Sequence, residues 1–197
     1  MIKNQYHIVR NALPHDLCDH LIVESFLYNK SNVAKVREDK ESFHIDSTVR
    51  NTEVVFHPCK SDLGKFFKQN AKTVNKAAEW FFNINRIETI QILKYNPGDF
   101  YTYHTDLSLP TGPGYHQKQR KISCSLQLNN PDEYTGGELV LTNIKSKDED
   151  NIPDIHDTSL NKGDLLLFPS FIPHSVLAIG SGVRYSATAW IEGLSFR

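Results

Sequence analysis

The sequence predicts a mainly β protein with packed helices, an α+β arrangement whose core is an all-β barrel or jelly roll. Two observations carry this reading. Beyond Asn83 the chain breaks into short β-rich runs at 87–96, 99–106, 120–128, 138–142, 164–168, 174–179 and 184–191, separated by Gly, Pro and Asn. Before Asn83, two stretches place apolar residues at helical spacing. Two helices cannot make a core alone, so both are expected against one sheet. A chain of 197 residues can bury a core without staples. The expected organisation is one domain over 1–197, with 1–83 as helical support and substrate loop and 84–197 as the jelly-roll core.

Taken in order, Tyr6-His-Ile-Val9 is a strand candidate, and Pro14 sits where a helix begins. Leu17, Leu21, Ile22 and Phe26 then mark a helical face to about Tyr28. Asn29 to Ser47 is polar and aperiodic and reads as a surface loop or mobile hairpin. Thr48 to Phe56 reads as one strand. Ser61 can cap a second helix whose buried stripe is Leu63, Phe66, Phe67, Val74, Ala78 and Phe81. Among the β runs, Leu107 to Gln119 carries Pro110, Gly112, Pro113 and Gly114 and is expected to form a flap. Lys145 to Pro153 is an acidic excursion without the Gly and terminal Glu of a calcium loop, so a solvated turn is expected.

A formal net charge of -1 and nine scattered histidines give no support to nucleic acid or an anionic membrane as partner. Cys18, Cys59 and Cys124 are an odd number at wide spacing, with no disulfide framework, which fits a reducing setting. The opening Met-Ile-Lys-Asn-Gln-Tyr-His lacks the apolar run of a signal peptide, and no window is apolar enough to span a bilayer. The expectation is a soluble, cytoplasmic protein.

The chemistry starts at Tyr95-Asn-Pro-Gly-Asp-Phe-Tyr-Thr-Tyr-His104-Thr-Asp106. Residues i and i+2 of a strand share a face, so His104 and Asp106 would present an imidazole and a carboxylate together, two thirds of a 2-His-1-carboxylate iron site. His174 follows a buried apolar strand and a proline-bracketed turn. Ten positions later comes Arg184, whose strand shares one face among Arg184, Ser186, Thr188 and Trp190. A guanidinium pointing into a barrel demands an anion. Each residue alone has an ordinary reading: His-x-Asp recurs by chance, His174 could cap a turn, and Arg184 could pair with an acid of the excursion. The ordered set, each member placed on a predicted strand, is what favours a site. His7, His15, His20, His44, His57, His116 and His156 have no partner pattern and are given no role.

The set resembles the 2-oxoglutarate and Fe(II)-dependent dioxygenases, and within them the prolyl 4-hydroxylase catalytic domain. The likeness runs from about Glu88 to Trp190, with a weaker match at Val9-Arg-Asn-Ala-Leu-Pro-His-Asp-Leu-Cys18. It implies a double-stranded β-helix core, with His104, Asp106 and His174 as metal ligands. Arg184 would pair with the C5 carboxylate of 2-oxoglutarate. Tyr95 and Thr188 would be further co-substrate contacts, with Gln127 standing where many members have Tyr. Tyr101, Arg50, Arg120, Trp190 and Glu88 would line the substrate side; Arg50 and Arg120 resemble two arginines associated with peptide binding. Gly136-Gly-Glu-Leu139 matches a turn before a barrel strand, and Gln91 lies on the strand of Tyr95. Collagen-type members usually carry Lys where this chain has Arg184.

The implied cofactors are Fe(II), 2-oxoglutarate and O2, with ascorbate as reductant. The implied reaction hydroxylates a prolyl residue of a peptide or protein and releases succinate and CO2. A hydroxylase of a free amino acid would use the same residues, and a metal or 2-oxoglutarate-binding module remains the non-enzyme alternative. A nucleic-acid dealkylase is disfavoured because Trp190 stands where that branch has a second Arg, a halogenase because Asp106 is present, and zinc hydrolysis because it leaves Arg184 unexplained.

Overall fold

The computed structural model describes residues 4–28, 32–33, 36–37, 43–44, 47–107, 118–142, 155–157 and 159–194. In chain order the elements are β1 (His7–Val9), α1 (His15–Tyr28), β2 (Asn32–Val33), β3 (Val36–Arg37), β4 (Phe43–His44), β5 (Arg50–Asn51), β6 (Glu53–His57) and α2 (Asp62–Ala77). There follow β7 (Arg86–Ile87), β8 (Ile90–Tyr95), β9 (Phe100–His104), β10 (Lys118–Gln127), a 3-10 turn over Pro131–Glu133, β11 (Tyr134–Gly136) and β12 (Leu139–Thr142). The last are β13 (Ile155–Asp157), β14 (Leu165–Pro169), β15 (His174–Val176), β16 (Ile179–Gly182) and β17 (Arg184–Leu194).

Two antiparallel sheets face each other. The major sheet runs β1-β14-β10-β17-β8-β6-β2, with β7 also on β17; the minor sheet runs β13-β12-β15-β9-β5. This is the expected jelly roll, with both helices on the outer face of the major sheet. Consecutive residues of a strand point to opposite sides, and the central strands use both. Ile122, Cys124 and Leu126 of β10, Leu165 and Leu167 of β14, and Ala187, Ala189 and Ile191 of β17 join one buried cluster with Leu63, Phe67, Ala71 and Val74 of α2. Leu166 and Phe168 of β14 instead join Leu93, Tyr95, Leu139, Leu141 and Val176 between the sheets.

The α2 stripe forms because its apolar residues recur every three to four positions, and the helix starts where Ser61 Oγ accepts the Gly64 N–H at 3.2 Å. The helix stops at Ala77, short of the expected end. Asn75 takes over the chain: its side chain accepts the Phe82 N–H at 3.0 Å and donates to the Phe82 carbonyl at 2.9 Å. Phe81, expected in the buried stripe, is thereby turned out to solvent, 71% exposed with φ 53°. On α1, Leu21, Ile22 and Phe26 pack as expected, but Leu17 is exposed and Cys18 fills the core beside them.

Three strand expectations change in detail. Thr48–Phe56 is two strands in different sheets: β5 pairs with β9, whereas β6 pairs with β8. Thr52, buried at the crossing, donates its hydroxyl to the Lys94 carbonyl at 2.8 Å. The run 87–96 divides into β7 and β8, and the run 99–106 ends as a strand at His104, two residues before Asp106. The N-terminal half therefore supplies β1, β5 and β6 to the sheets as well as the helices. Most of the Asn29–Ser47 segment, the Leu107–Gln119 flap and the Lys145–Pro153 excursion lie outside the described residues. No helix among the described residues is long and apolar enough to cross a membrane.

Candidate metal centre

His104 ends β9, His174 opens β15, and the two residues are register partners in adjacent strands. Asp106 lies just past β9, where its backbone N–H donates to the Ser170 carbonyl at 2.9 Å and ties the chain to the turn before β15. The three side chains converge: one ligand atom from each lies within 4.8 Å of the others. His104 Nε2 is 3.7 Å from Asp106 Oδ1, and His174 Nε2 is 3.4 Å from Asp106 Oδ2.

The histidine tautomers follow from hydrogen bonding. Nδ1–H of His104 donates to the Thr102 carbonyl at 2.7 Å, and Nδ1–H of His174 donates to the Ile172 carbonyl at 3.0 Å. A carbonyl only accepts, so each Nδ1 carries the proton and each Nε2 turns its lone pair toward Asp106. Burial, reinforced by the facing His174, pushes the His104 pKa down to about 4, so this imidazole is neutral and able to ligate at pH 7. Burial opposes ionisation of Asp106, but His174, Arg120, His104 and the Ser123 hydroxyl outweigh it and hold the carboxyl below its ordinary range.

Ser123 of β10 was not foreseen. Its hydroxyl donates to Asp106 Oδ2 at 2.6 Å and lies 3.0 Å from the Ser170 hydroxyl. With its proton given to the carboxylate, Ser123 accepts from Ser170, and this buried relay fixes the rotation of the carboxylate. The signal in the sequence was the alternation of Ser123, Ser125 and Gln127 with Ile122, Cys124 and Leu126.

The hollow containing the triad is lined by Arg50, Tyr95, Tyr101, Ser125, Thr188 and Trp190 among others, and Arg184 closes its far end. Tyr101 stacks on the His104 ring at 3.6 Å, and Phe168 packs edge-on against His174 at 4.7 Å. Arg120 lies 3.9 Å over the Trp190 ring, and its Nε and Nη2 donate to the two Glu88 carboxylate oxygens, both at 2.7 Å. Of the twelve site residues expected from sequence, nine line this hollow, Arg120 and Glu88 adjoin it through Trp190 and Asp106, and one stands apart. The Gln127 side chain is held by Asn129 at the other side of Arg184, on a separate hollow of about 470 Å³. That hollow is far larger than the roughly 40 Å³ at the triad, yet it contains none of the three candidate ligands. Donor chemistry rather than size marks the site.

Arg184 is 2% exposed, and among the described residues no carboxylate forms an ion pair with it. Its guanidinium faces the Tyr95 ring at 5.6 Å. Gly137 makes room for it: a Cβ there would stand 3.3 Å from Arg184 Cδ and overlap Ile179, and its φ of +72° is one a side chain resists. Two imidazoles and a carboxylate with free faces suit a ferrous ion, and a buried cation without a partner at the pocket's end suits the distant carboxylate of a diacid.

A family model described as the 2OG-Fe(II) oxygenase superfamily matches residues 90–192, just over half of the chain. A "PKHD-type hydroxylase" of Xylella fastidiosa is 34% identical over 105 residues, covering 51% of this chain and 42% of that protein. One of Acinetobacter baylyi is 34% identical over 102 residues, with 51% and 41% covered. The chain therefore spans less than half the length of these relatives. In three dimensions it is similar to the viral collagen prolyl hydroxylase of Paramecium bursaria Chlorella virus-1 (TM-score 0.69, 19% identity, 98% of each chain). A Pseudomonas putida prolyl-4-hydroxylase gives a TM-score of 0.66 at 22% identity, covering 99% of this chain and 95% of that one.

Proposed function

Because this chain belongs to the 2OG-Fe(II) oxygenase superfamily, we propose that it is a 2-oxoglutarate- and Fe(II)-dependent dioxygenase that hydroxylates a prolyl residue of a peptide or protein. The observation that carries the reading is the coincidence, in one pocket, of the His104–Asp106–His174 cluster with the unpaired buried Arg184. The prolyl substrate is supported by the likeness to two prolyl hydroxylases and to one from Trichoplax adhaerens in complex with a hypoxia inducible factor peptide fragment (TM-score 0.64, 18% identity, 96% and 84% of the chains).

Nε2 of His104, Nε2 of His174 and a carboxylate oxygen of Asp106 would hold the ferrous ion. When bound, the ion and 2-oxoglutarate supply an oxidative decarboxylation that consumes O2, yields succinate and CO2, and places one oxygen atom in a substrate C–H bond. The remaining work falls to the chain. Ser123 holds the Asp106 carboxylate in one rotation, and the Thr102 and Ile172 carbonyls hold the imidazoles. Arg184 would anchor the C5 carboxylate of 2-oxoglutarate, with Thr188 and Tyr95 beside it. Leu93, Leu139, Phe168 and Val176 keep water from the buried end. Tyr101, Trp190 and Arg120 would face the substrate, Arg120 held in place by Glu88. Cys18, Cys59 and Cys124 are all free thiols, which supports a cytoplasmic setting.

The test is anaerobic loading with Fe(II), then addition of O2, 2-oxoglutarate and host-cell proteins. Succinate release should be matched by a gain of one oxygen on prolyl residues in mass spectra, and His174→Ala should abolish both. Succinate formed equally by the His174→Ala variant would overturn the proposal.

A further inference from the structure

Three arginines surround the metal position, each against an aromatic ring: Arg120 on Trp190 at 3.9 Å, Arg50 on Tyr101 at 4.8 Å and Arg184 on Tyr95 at 5.6 Å. Their charges are answered differently. Arg120 has the bidentate Glu88 and lies 3.9 Å from Asp106. Arg184 has the far carboxylate of 2-oxoglutarate, on the reading above. Arg50 is 5% exposed, and its one hydrogen bond goes from Nη2 to the neutral Gln91 side-chain oxygen at 3.2 Å. Its Nε is buried without any acceptor, and among the described residues no carboxylate pairs with it.

A charge count over the pocket sharpens this. Among the described residues, two carboxylates, Asp106 and Glu88, stand against three guanidiniums, and an imidazole that ligates a metal through its lone pair adds no charge. The charges of a ferrous ion and the 2-oxoglutarate dianion cancel, so the loaded pocket keeps one positive charge, located at Arg50. An amide and a ring face do not neutralise a guanidinium, and a buried charge without a counter-ion is costly. The register places this charge beside the reaction. Arg50 is the strand partner of Tyr101, whose ring stacks on the metal ligand His104 at 3.6 Å. One aromatic ring therefore separates Arg50 from the first ligand.

We infer that Arg50 is a subsite for a carboxylate of the substrate itself, held next to the carbon that is oxidised. This rests on the dioxygenase reading and narrows its substrate class. The favoured substrates are those whose target residue bears a free α-carboxylate, as in a C-terminal residue or a free amino acid, or stands beside an acidic side chain. An internal residue with neutral neighbours offers only a carbonyl and leaves the charge unmet. A site built to pair a charge rejects the isostere that lacks it more strongly than an apolar pocket rejects an extra methylene.

The experiment measures binding apart from turnover. Protein loaded with Mn(II) and 2-oxoglutarate is titrated calorimetrically with N-acetyl-proline, N-acetyl-proline amide and N-acetyl-aspartyl-proline amide. At least one carboxylate probe should bind about 30-fold or more tightly than the neutral amide. Which one does so identifies a terminal or a side-chain source. Arg50→Gln should erase the difference and Arg50→Lys should keep part of it. The ligand-free Arg50→Gln protein should melt no lower than the parent, since an unmet charge has been removed; this also checks that the variant folds. Equal affinity for all three probes, or binding of none, overturns the inference. Failure of the metal-loaded protein to bind 2-oxoglutarate would instead sink the dioxygenase reading. A carboxylate preference without hydroxylated proline would keep Arg50's role and remove the prolyl one.

Discussion

The two faces of the central strands β10 and β17 follow opposite rules although they are built from alternating residues of the same segments. Toward the helices, Ile122, Cys124, Leu126, Ala187, Ala189 and Ile191 are buried, apolar and mutually packed. Toward the other sheet, Ser123, Ser125, Arg184 and Ser186 are nearly as buried and Thr188 is partly so, but all are polar, with the orphaned indole N–H of Trp190 beside them. The first face gains stability by removing apolar surface from water. The second gives up that gain to keep polar groups dry and aimed at one point. The sheet thus separates stability from chemistry across the thickness of a single strand.

If the faces are this distinct, substitutions on each should leave the other's observable intact. The largest effect belongs to the proposed ligands: His174→Ala should remove metal-dependent 2-oxoglutarate turnover altogether, while circular dichroism and melting remain those of a folded protein. On the helix side, Phe67→Ala should lower the unfolding free energy by about 3–5 kcal/mol, read by urea titration, because a fully buried ring is lost from a packed cluster. Metal affinity of the folded fraction should not change. An altered affinity would mean that the faces are coupled.

A third substitution probes the edge where the strands are joined. Asp164 accepts from the Asn11 N–H at 2.8 Å, the Asn161 N–H at 2.9 Å and Arg10 Nη1 at 2.6 Å. Burial opposes its ionisation, but these donors outweigh it and lower its pKa. A carboxyl whose folded pKa is depressed contributes stability above its unfolded value, roughly 3.9, and loses it as pH falls through the folded value. Asp164→Asn should therefore cost about 2 kcal/mol at pH 7 and flatten the fall of stability below roughly pH 4, seen in urea titrations across pH. The smallest effect is Ser123→Ala. Metal should bind about ten-fold more weakly by competition with a chelator, with little change in melting, since the carboxylate loses its fixed rotation but the strand keeps its packing.

Much of this division was legible before folding. The polar positions at Ser123 and Ser125, the face shared by Arg184, Ser186, Thr188 and Trp190, and the apolar positions between them are period-two patterns, which a strand turns directly into two faces. The candidate ligands His104, Asp106 and His174 were legible because their order along the chain is distinctive. What escaped depends on contacts between distant segments. Ser123 reads as a plain strand residue until Asp106 and Ser170 arrive beside it. Phe81 fits a helical stripe until Asn75 captures the Phe82 backbone and ends the helix. Thr48–Phe56 alternates like a single strand, and only pairing with β9 on one side and β8 on the other divides it at Thr52. Gln127 shares the inward face of Ser123, but four residues along a strand is roughly 13 Å, enough to carry it past Arg184 to the other hollow.

In the function proposed above, Arg184 waits for the distant carboxylate of a metal-bound co-substrate. Anaerobic titration of the Fe(II)-loaded protein with 2-oxoglutarate, followed by visible absorption, measures this for the parent and for Arg184→Leu. A saturable absorbance is expected in both, with half-saturation raised roughly 100-fold in the variant and Fe(II) affinity unchanged. Superimposable titrations of the two proteins, or no absorbance change in the parent, would contradict it.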